Sequence, residues 1–196
     1  MMRRLAVVSG LALAAGLTVS VAAQSGQPKA AAGAPEQIVY DAASAMAFLK
    51  TTSGDWRPAS GTAQHEHSAA TAAPRPGTAV SVKTKAAGSA VVHTYREGTP
   101  GEMETVFHMD GDKLLLTHYC ALQNAPVLQF VKSDKPGELK FVFKGGTNFD
   151  PSVDAHLHES TFQIIDKNTI EQRSTVFTNG KADPELKSVL RRPTTE

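Results

Sequence analysis

The chain has 196 residues with a single cysteine, and its 20 Lys and Arg nearly balance its 19 Asp and Glu. This length suits one domain, the lone cysteine excludes an intrachain disulfide, and the charge balance argues against a nucleic-acid partner or a polybasic membrane patch. The first element, residues 1–23, has the pattern of a secretory signal peptide: Arg3 and Arg4, an apolar run, and small residues up to Ala23. We therefore expect a periplasmic or secreted protein that is not held in the membrane after cleavage.

The next three segments lead from the cleavage site to the strands. Residues 24–35 are rich in Ala, Gly, Ser, Pro and Gln, which predicts a disordered leader. Apolar residues between 36 and 50 partly fit one helical face and predict a short helix that caps the domain. Residues 59–77 are again of low complexity and indicate a flexible insertion. The expected domain is a single one at 36–196.

From residue 78 onward, short β-rich runs alternate with turn sequences. The predicted strands are 78–85, 89–97, 103–109, 114–121, 127–133, 138–145, 155–165 and 169–178, with a closing run at 187–191. No long helical pattern separates them, which disfavours parallel βαβ units. A meander of eight or nine strands avoids free edges most simply by closing on itself. The sequence therefore predicts an all-β, antiparallel up-and-down barrel of the lipocalin-like kind, with a sandwich as the alternative.

Side-chain alternation predicts polar groups inside this barrel. Phe162 and Ile164 share one face of their strand, and the same phase places His158 and His156 on that inward face. In the run 114–120, the favoured phase puts His118 and Cys120 inside together with alternate leucines. The opposite phase, which would put Thr117 and Tyr119 inside, stays open because three leucines are consecutive.

Three converging imidazoles suggest a metal or haem site. Neutral imidazole is a good ligand for zinc, copper or iron, so His118, His156 and His158 are the candidate metal ligands, and Cys120 could supply a thiolate. The plainer interpretation is that these histidines make hydrogen bonds in a polar barrel mouth. No cofactor is required by the sequence.

Three short motifs carry a family resemblance. With Thr117-His118-Tyr119-Cys120, Asn124-Ala125-Pro126 and His156-Leu157-His158, residues 88–192 resemble a group of uncharacterised bacterial exported proteins with a lipocalin-like, calycin-type barrel. Ala125 and Leu157 depart from the Gln and Met of that group. The resemblance implies the barrel, the exported setting and one ligand-binding site, but no activity. The site residues that it implies are His118, Tyr119, Cys120, Asn124, His156 and His158.

Three functions are compatible with this pattern. The leading hypothesis is a non-enzymatic, exported barrel that binds an unidentified small molecule, with a metal or haem as an optional component. Its expected apolar walls are Phe107, Leu116, Phe130, Phe141 and Phe162. The alternatives are a hydrolase- or isomerase-type enzyme that uses His118, Cys120 and His158, and a structural or interaction module. No catalytic residue is assigned, since the sequence has no nucleophile motif, phosphate loop or paired carboxylates.

Overall fold

The structure is a computed structural model that describes residues 34–59 and 79–193. These residues lie in the second of the two units into which the chain divides, Gly33–Glu196. The predicted signal peptide at 1–23 lies outside the described residues. The predicted leader also lies outside them, except for its last two residues, and so does the predicted insertion beyond residue 59.

One α-helix precedes the strands. The helical elements are a 3₁₀ helix at Pro35–Gln37, helix α1 at Ala42–Thr51 and a 3₁₀ turn at Ala86–Gly88. The strands are β1 (Gly54–Pro58), β2 (Val80–Lys85), β3 (Ala90–Tyr95), β4 (Met103–Asp110), β5 (Lys113–Tyr119), β6 (Ala125–Val131), β7 (Glu138–Thr147), β8 (His156–Asp166), β9 (Thr169–Thr178), β10 (Lys181–Ala182) and β11 (Leu186–Arg191). Within the described ranges, no helix has the length and apolar character needed to cross a membrane.

Ten of the eleven described strands form a closed antiparallel ring. The order around it is β9-β11-β1-β2-β3-β4-β5-β6-β7-β8, and pairing of β8 with β9 completes the circle. The two-residue strand β10 pairs with the end of β9 and stands outside the ring. The predicted all-β, up-and-down barrel with one short helix is confirmed. The predicted count of eight or nine strands is too low.

The ring strand that the sequence did not predict is β1. Its residues include Gly, Asp and Pro, which are depleted in strands, so local propensity gives no signal. Trp56 is nevertheless only 2% exposed and stands opposite Val80 of β2. Burial of this indole and pairing with its neighbours therefore specify the strand.

Aromatic side chains fill part of the barrel interior. Phe107, Phe141 and Phe162 contact one another edge to face, with ring centroids 5.5 to 6.1 Å apart, an arrangement that aromatic pairs prefer. One face of helix α1 adds three buried side chains to the same core: Ala45, Met46 and Leu49. The helix thus packs its apolar face on the barrel core, as the predicted capping helix would.

Helix α1 is fixed at both ends. Asp41 forms a capping box with Ser44, in which the Ser44 N–H donates to Asp41 Oδ1 at 2.7 Å. At the other end, the Arg192 guanidinium donates to the carbonyls of Thr51 at 2.6 Å and Ser53 at 3.0 Å. The same guanidinium lies 4.7 Å from the Trp56 ring centroid. Arg192 follows β11, so the end of the last strand holds the end of the helix.

A β-bulge interrupts the alternation of β8. Its register to β9 shifts between Leu157 and Glu159, so His158 has no residue directly opposite. A bulge leaves its extra residue unpaired and bends the strand locally. The predicted inward phase holds for His156 and Ser160, which are each 1% exposed. It does not extend to His158, which is half-buried elsewhere.

Candidate functional site

A cavity of about 360 Å³ lies next to the packed core. Leu116 and Phe162 belong to both the core and the cavity wall. The remaining predicted wall residues, Phe107, Phe130 and Phe141, are packed in the core and do not line the cavity. The ligand-binding hypothesis expected such a cavity, although with a larger share of phenylalanine.

Loops at one end of the barrel form the outer part of the cavity. In an up-and-down barrel, alternate connections lie at the same end. Four such connections contribute the lining residues Arg96, Leu122, Ala155 and Asp183. Helix α1 leads into the start of β1, which lies at the opposite end of the barrel, and no residue of the helix lines the cavity. The cavity is therefore at the loop end that faces away from the helix.

Four polar side chains on the cavity wall form a chain of neighbours with two hydrogen-bonded pairs. Thr105 Oγ1 lies 2.8 Å from His118 Nδ1. The Tyr95 hydroxyl bonds to the Gln172 amide, whose Oε1 and Nε2 are 3.3 and 3.2 Å away. Thr105 lies close enough to the Tyr95 hydroxyl to lower its pKa, although burial raises that pKa more strongly. All four residues line the cavity. The chain joins β5, β4, β3 and β9, and its last link crosses the barrel interior.

His118 presents one ring nitrogen to the cavity. Burial lowers the pKa of His118 to about 4, so the ring is neutral near pH 7. Its Nδ1 is bonded to Thr105, whereas Nε2 has no hydrogen-bond partner among the described residues. Nε2 is not one of the buried unpartnered side-chain atoms, and the residue lines the cavity, so this nitrogen is accessible from inside it.

Cys120 lies beside His118 on the cavity wall. Burial raises the pKa of the Cys120 thiol, and hydrogen bonds from the backbone N–H groups of Leu122 and Ala121 offset this only in part. The thiol is therefore protonated near pH 7 and a poor nucleophile. In the part of the chain that the structure describes, no imidazole is hydrogen-bonded to its Sγ. The enzyme hypothesis expected such a contact.

His156 and His158 are bonded to each other. His156 Nδ1 is 2.8 Å from the Asp154 carbonyl oxygen, and its Nε2 is 3.1 Å from His158 Nδ1. Since a carbonyl only accepts, His156 Nδ1 carries the proton, Nε2 accepts, and His158 Nδ1 donates. His156 lines the cavity, but both of its ring nitrogens are occupied. It therefore contributes wall surface and no free hydrogen-bonding group.

His158 packs in an aromatic cluster instead of lining the cavity. Its ring stacks on Phe177 with centroids 3.7 Å apart and on Phe143 at 4.9 Å. Desolvation and the neighbouring His156 lower the pKa of His158, while Glu159 acts in the opposite direction. Both rings therefore pack on Phe143, but only His156 also lines the cavity.

The other two predicted site residues have structural contacts. Tyr119 is 53% exposed and does not line the cavity, so the phase that faces His118 and Cys120 inward is the one adopted. Asn124 is buried, and its Nδ2 donates to the Ala155 carbonyl at 2.8 Å. This bond joins the loop after β5 to the start of β8. The structure therefore brings His118, Cys120 and His156 to the cavity, but not Tyr119, Asn124 or His158.

The predicted metal ligands are not gathered around one point. In residues 34–59 and 79–193, no group of three or more His, Cys, Asp or Glu side chains could hold a metal ion. His118 bonds to Thr105, and His156 bonds to His158. The metal or haem site stays a prediction. Of its three histidines, only His156 and His158 are in contact with each other.

Tyr95, Thr105 and Gln172 are among the cavity residues that the sequence analysis did not identify. Each lies two residues from a buried apolar or aromatic position on its own strand, namely His93, Phe107 and Ile170. Strand alternation extended from those positions would have placed all three inside. Their hydrogen bonds to one another depend on neighbouring strands and on a contact across the barrel, which one strand's pattern does not contain.

No family model matches the chain, and a search of curated proteins gives no significant match.

Proposed function

We propose that this chain is an exported β-barrel protein that binds a small, largely apolar molecule in its interior. The cavity of about 360 Å³ carries the proposal, because it falls within the roughly 300–1,000 Å³ of ligand pockets. Its wall is mainly apolar with a few polar groups, which is the usual composition of such pockets. The signal-peptide pattern at 1–23 supports the exported setting.

The cavity also weighs against the two alternative functions. An interaction module that uses only the outer surface would need no internal space, and a filled barrel would serve it. An enzyme built on Cys120 would need a thiolate, whereas burial raises the pKa of this thiol. Binding without covalent chemistry accounts for both the space and the neutral side chains around it.

A fluorescence titration tests the proposal. N-phenylnaphthylamine is an uncharged probe that becomes bright in apolar surroundings, and mature protein should enhance its emission in a saturable way. Ser174→Phe places a ring in the cavity, because Ser174 lines it, and should weaken binding by about tenfold or more. The matched control Thr175→Phe changes the next residue of β9, which does not line the cavity, and should bind as the unaltered protein does.

Thermal unfolding of both variants shows whether weaker binding results from a blocked cavity or from loss of the folded structure. Ser174→Phe should unfold at or above the temperature of the unaltered protein, because the ring fills space inside the barrel. Equal binding by the two variants, or no saturable binding by the unaltered protein, would contradict a ligand site in the cavity.

A further inference from the structure

The chemistry of the ligand can be inferred from the groups that the cavity wall offers. This inference rests on the proposed binding function and deepens it. Among the described lining residues, two histidines reach the wall, and His156 has both ring nitrogens occupied. His118 Nε2 is accessible and has no partner in the described chain. It is therefore the imidazole nitrogen that a bound molecule can use.

The chain of four side chains behind His118 can be hydrogen-bonded in either direction. In one direction, His118 Nδ1 donates to Thr105, Thr105 donates to Tyr95, and Tyr95 donates to Gln172 Oε1. In this state His118 Nε2 holds a lone pair and accepts from a ligand. Hydroxyl groups both donate and accept, so neither Thr105 nor Tyr95 fixes the direction.

The reverse direction is equally complete. Gln172 Nε2 lies 3.2 Å from the Tyr95 hydroxyl and can donate to it. Tyr95 then donates to Thr105, and Thr105 donates to His118 Nδ1. His118 is then protonated at Nε2, which donates into the cavity. An amide at the end of the chain thus lets the imidazole serve a hydroxyl or a carbonyl without leaving a buried group unpaired.

The wall offers no net charge for an ionic ligand. Its charged residues in the described segments are Arg96 and Asp183, one of each sign, and both lie in loops outside the strands. The polar strand residues of β8, β9 and β11 on the wall are uncharged: they include the hydroxyls of Ser160, Ser174 and Ser188 and the Gln172 amide. A buried carboxylate or ammonium would lack a compensating charge beside His118, and burying an unpaired charge is costly.

We propose that the cavity binds an uncharged, mostly apolar molecule whose single hydroxyl or carbonyl group is hydrogen-bonded to His118 Nε2. Thr105 is a positioning residue that holds the imidazole by its Nδ1. Tyr95 and Gln172 complete the chain that lets the imidazole change between donor and acceptor.

A series of eight-carbon compounds tests the class of ligand. n-Octanol, octanone, octanoate and octylammonium have similar apolar parts and differ in the polar group. Each is used near pH 7 to displace N-phenylnaphthylamine from mature protein. We expect n-octanol and octanone to compete similarly. Octanoate and octylammonium should compete more weakly, by about tenfold or more. Tighter displacement by octanoate or octylammonium than by n-octanol would overturn the proposal.

Two variants test the role of the chain. Thr105→Val keeps the shape of the side chain and removes the hydroxyl that holds His118. It should weaken the binding of n-octanol and octanone about three- to tenfold more than it weakens the binding of N-phenylnaphthylamine. The control Thr117→Val removes a hydroxyl from the outward face of β5, where Thr117 does not line the cavity, and should change neither affinity.

The outcomes separate this inference from the function on which it rests. Failure of N-phenylnaphthylamine to bind would remove the ligand-binding function itself. Saturable binding of the probe, combined with equal competition by all four compounds or with no selective loss in Thr105→Val, would keep the binding function and overturn the assignment to His118.

Discussion

Two histidines inside the barrel lie where protonation is unfavourable. His93 is 7% exposed, its ring is 4.8 Å from that of Phe107, and its Nε2 has no partner in the described structure. Burial lowers the pKa of His93 to about 3 and that of His118 to about 4. An unfolded chain would protonate both near pH 6.5, so the unfolded state binds more protons in acid. Their contribution to stability is therefore complete above about pH 6.5 and is lost as the pH falls toward 4 and then 3.

Replacing His93 by Phe should reduce this sensitivity to acid. In the unaltered protein at pH 4.5, the unfolded chain gains a proton at His93 that the folded protein does not bind. The variant has no such difference, so between pH 7 and pH 4.5 it should lose about 2–3 kcal/mol less unfolding free energy than the unaltered protein. At pH 7 the variant should be as stable as the unaltered protein or slightly more so, because the unpaired Nε2 is gone and a cavity of about 20 Å³ lies beside the ring. Urea unfolding at both pH values measures this.

The control is His108→Phe, a change at a half-buried histidine of the neighbouring strand β4, on the face opposite to that of the buried Phe107. An unchanged pH dependence in His93→Phe would contradict the assignment of acid sensitivity to this residue.

At the scale of single elements, turn chemistry and alternation predicted most of the strands. The observed β2 to β9 and β11 all overlap predicted runs, because each has a β-rich sequence bounded by turn residues. β1 was missed because Trp56 is buried by tertiary contacts within a sequence of low strand propensity. His158 was placed inside because a two-residue period cannot anticipate a bulge. His118 and Cys120 were placed correctly, since β5 has no register shift to β4.

Two adjacent glycines in β7 provide a test at this scale. Both have positive φ, but a Cβ on Gly146 would lie 2.6 Å from the Ala125 carbonyl oxygen, whereas a Cβ on Gly145 would meet nothing within 4 Å. Gly146→Ala should therefore lower the unfolding free energy by about 1–3 kcal/mol more than Gly145→Ala does. Chemical denaturation of the two variants gives the difference. Equal losses would show that backbone strain, which the two sites share, outweighs the close approach at Gly146.

At the scale of the whole molecule, closure of the barrel depends on a short seam. β1 and β11 pair through only two residue pairs, Arg57 with Arg191 and Pro58 with Leu190. Arg192 reinforces the seam, because its guanidinium binds the carbonyls of Thr51 and Ser53 and lies over Trp56. By contrast, β8 and β9, whose pairing also closes the ring, are paired along most of their length.

Removing the Arg192 side chain should loosen the seam. Arg192→Ala loses two hydrogen bonds and a cation–π contact, which together correspond to about 1–3 kcal/mol. Amide hydrogen exchange should accelerate in β1 and β11 and change little in β8. Arg191→Ala, at the neighbouring exposed arginine, is the control and should leave exchange near that of the unaltered protein. Uniform acceleration throughout the barrel would instead indicate a global loss of stability.

The position of Trp56 makes this seam visible during folding. β2 to β9 can form as successive local hairpins, but β1 pairs with residues about 130 positions later in the chain, a contact that is slow to form. Trp56 is the only tryptophan, and it lies in β1 under the Arg192 guanidinium. In a stopped-flow experiment, its fluorescence should follow the joining of the first and last strands, after far-ultraviolet circular dichroism has recorded the hairpins.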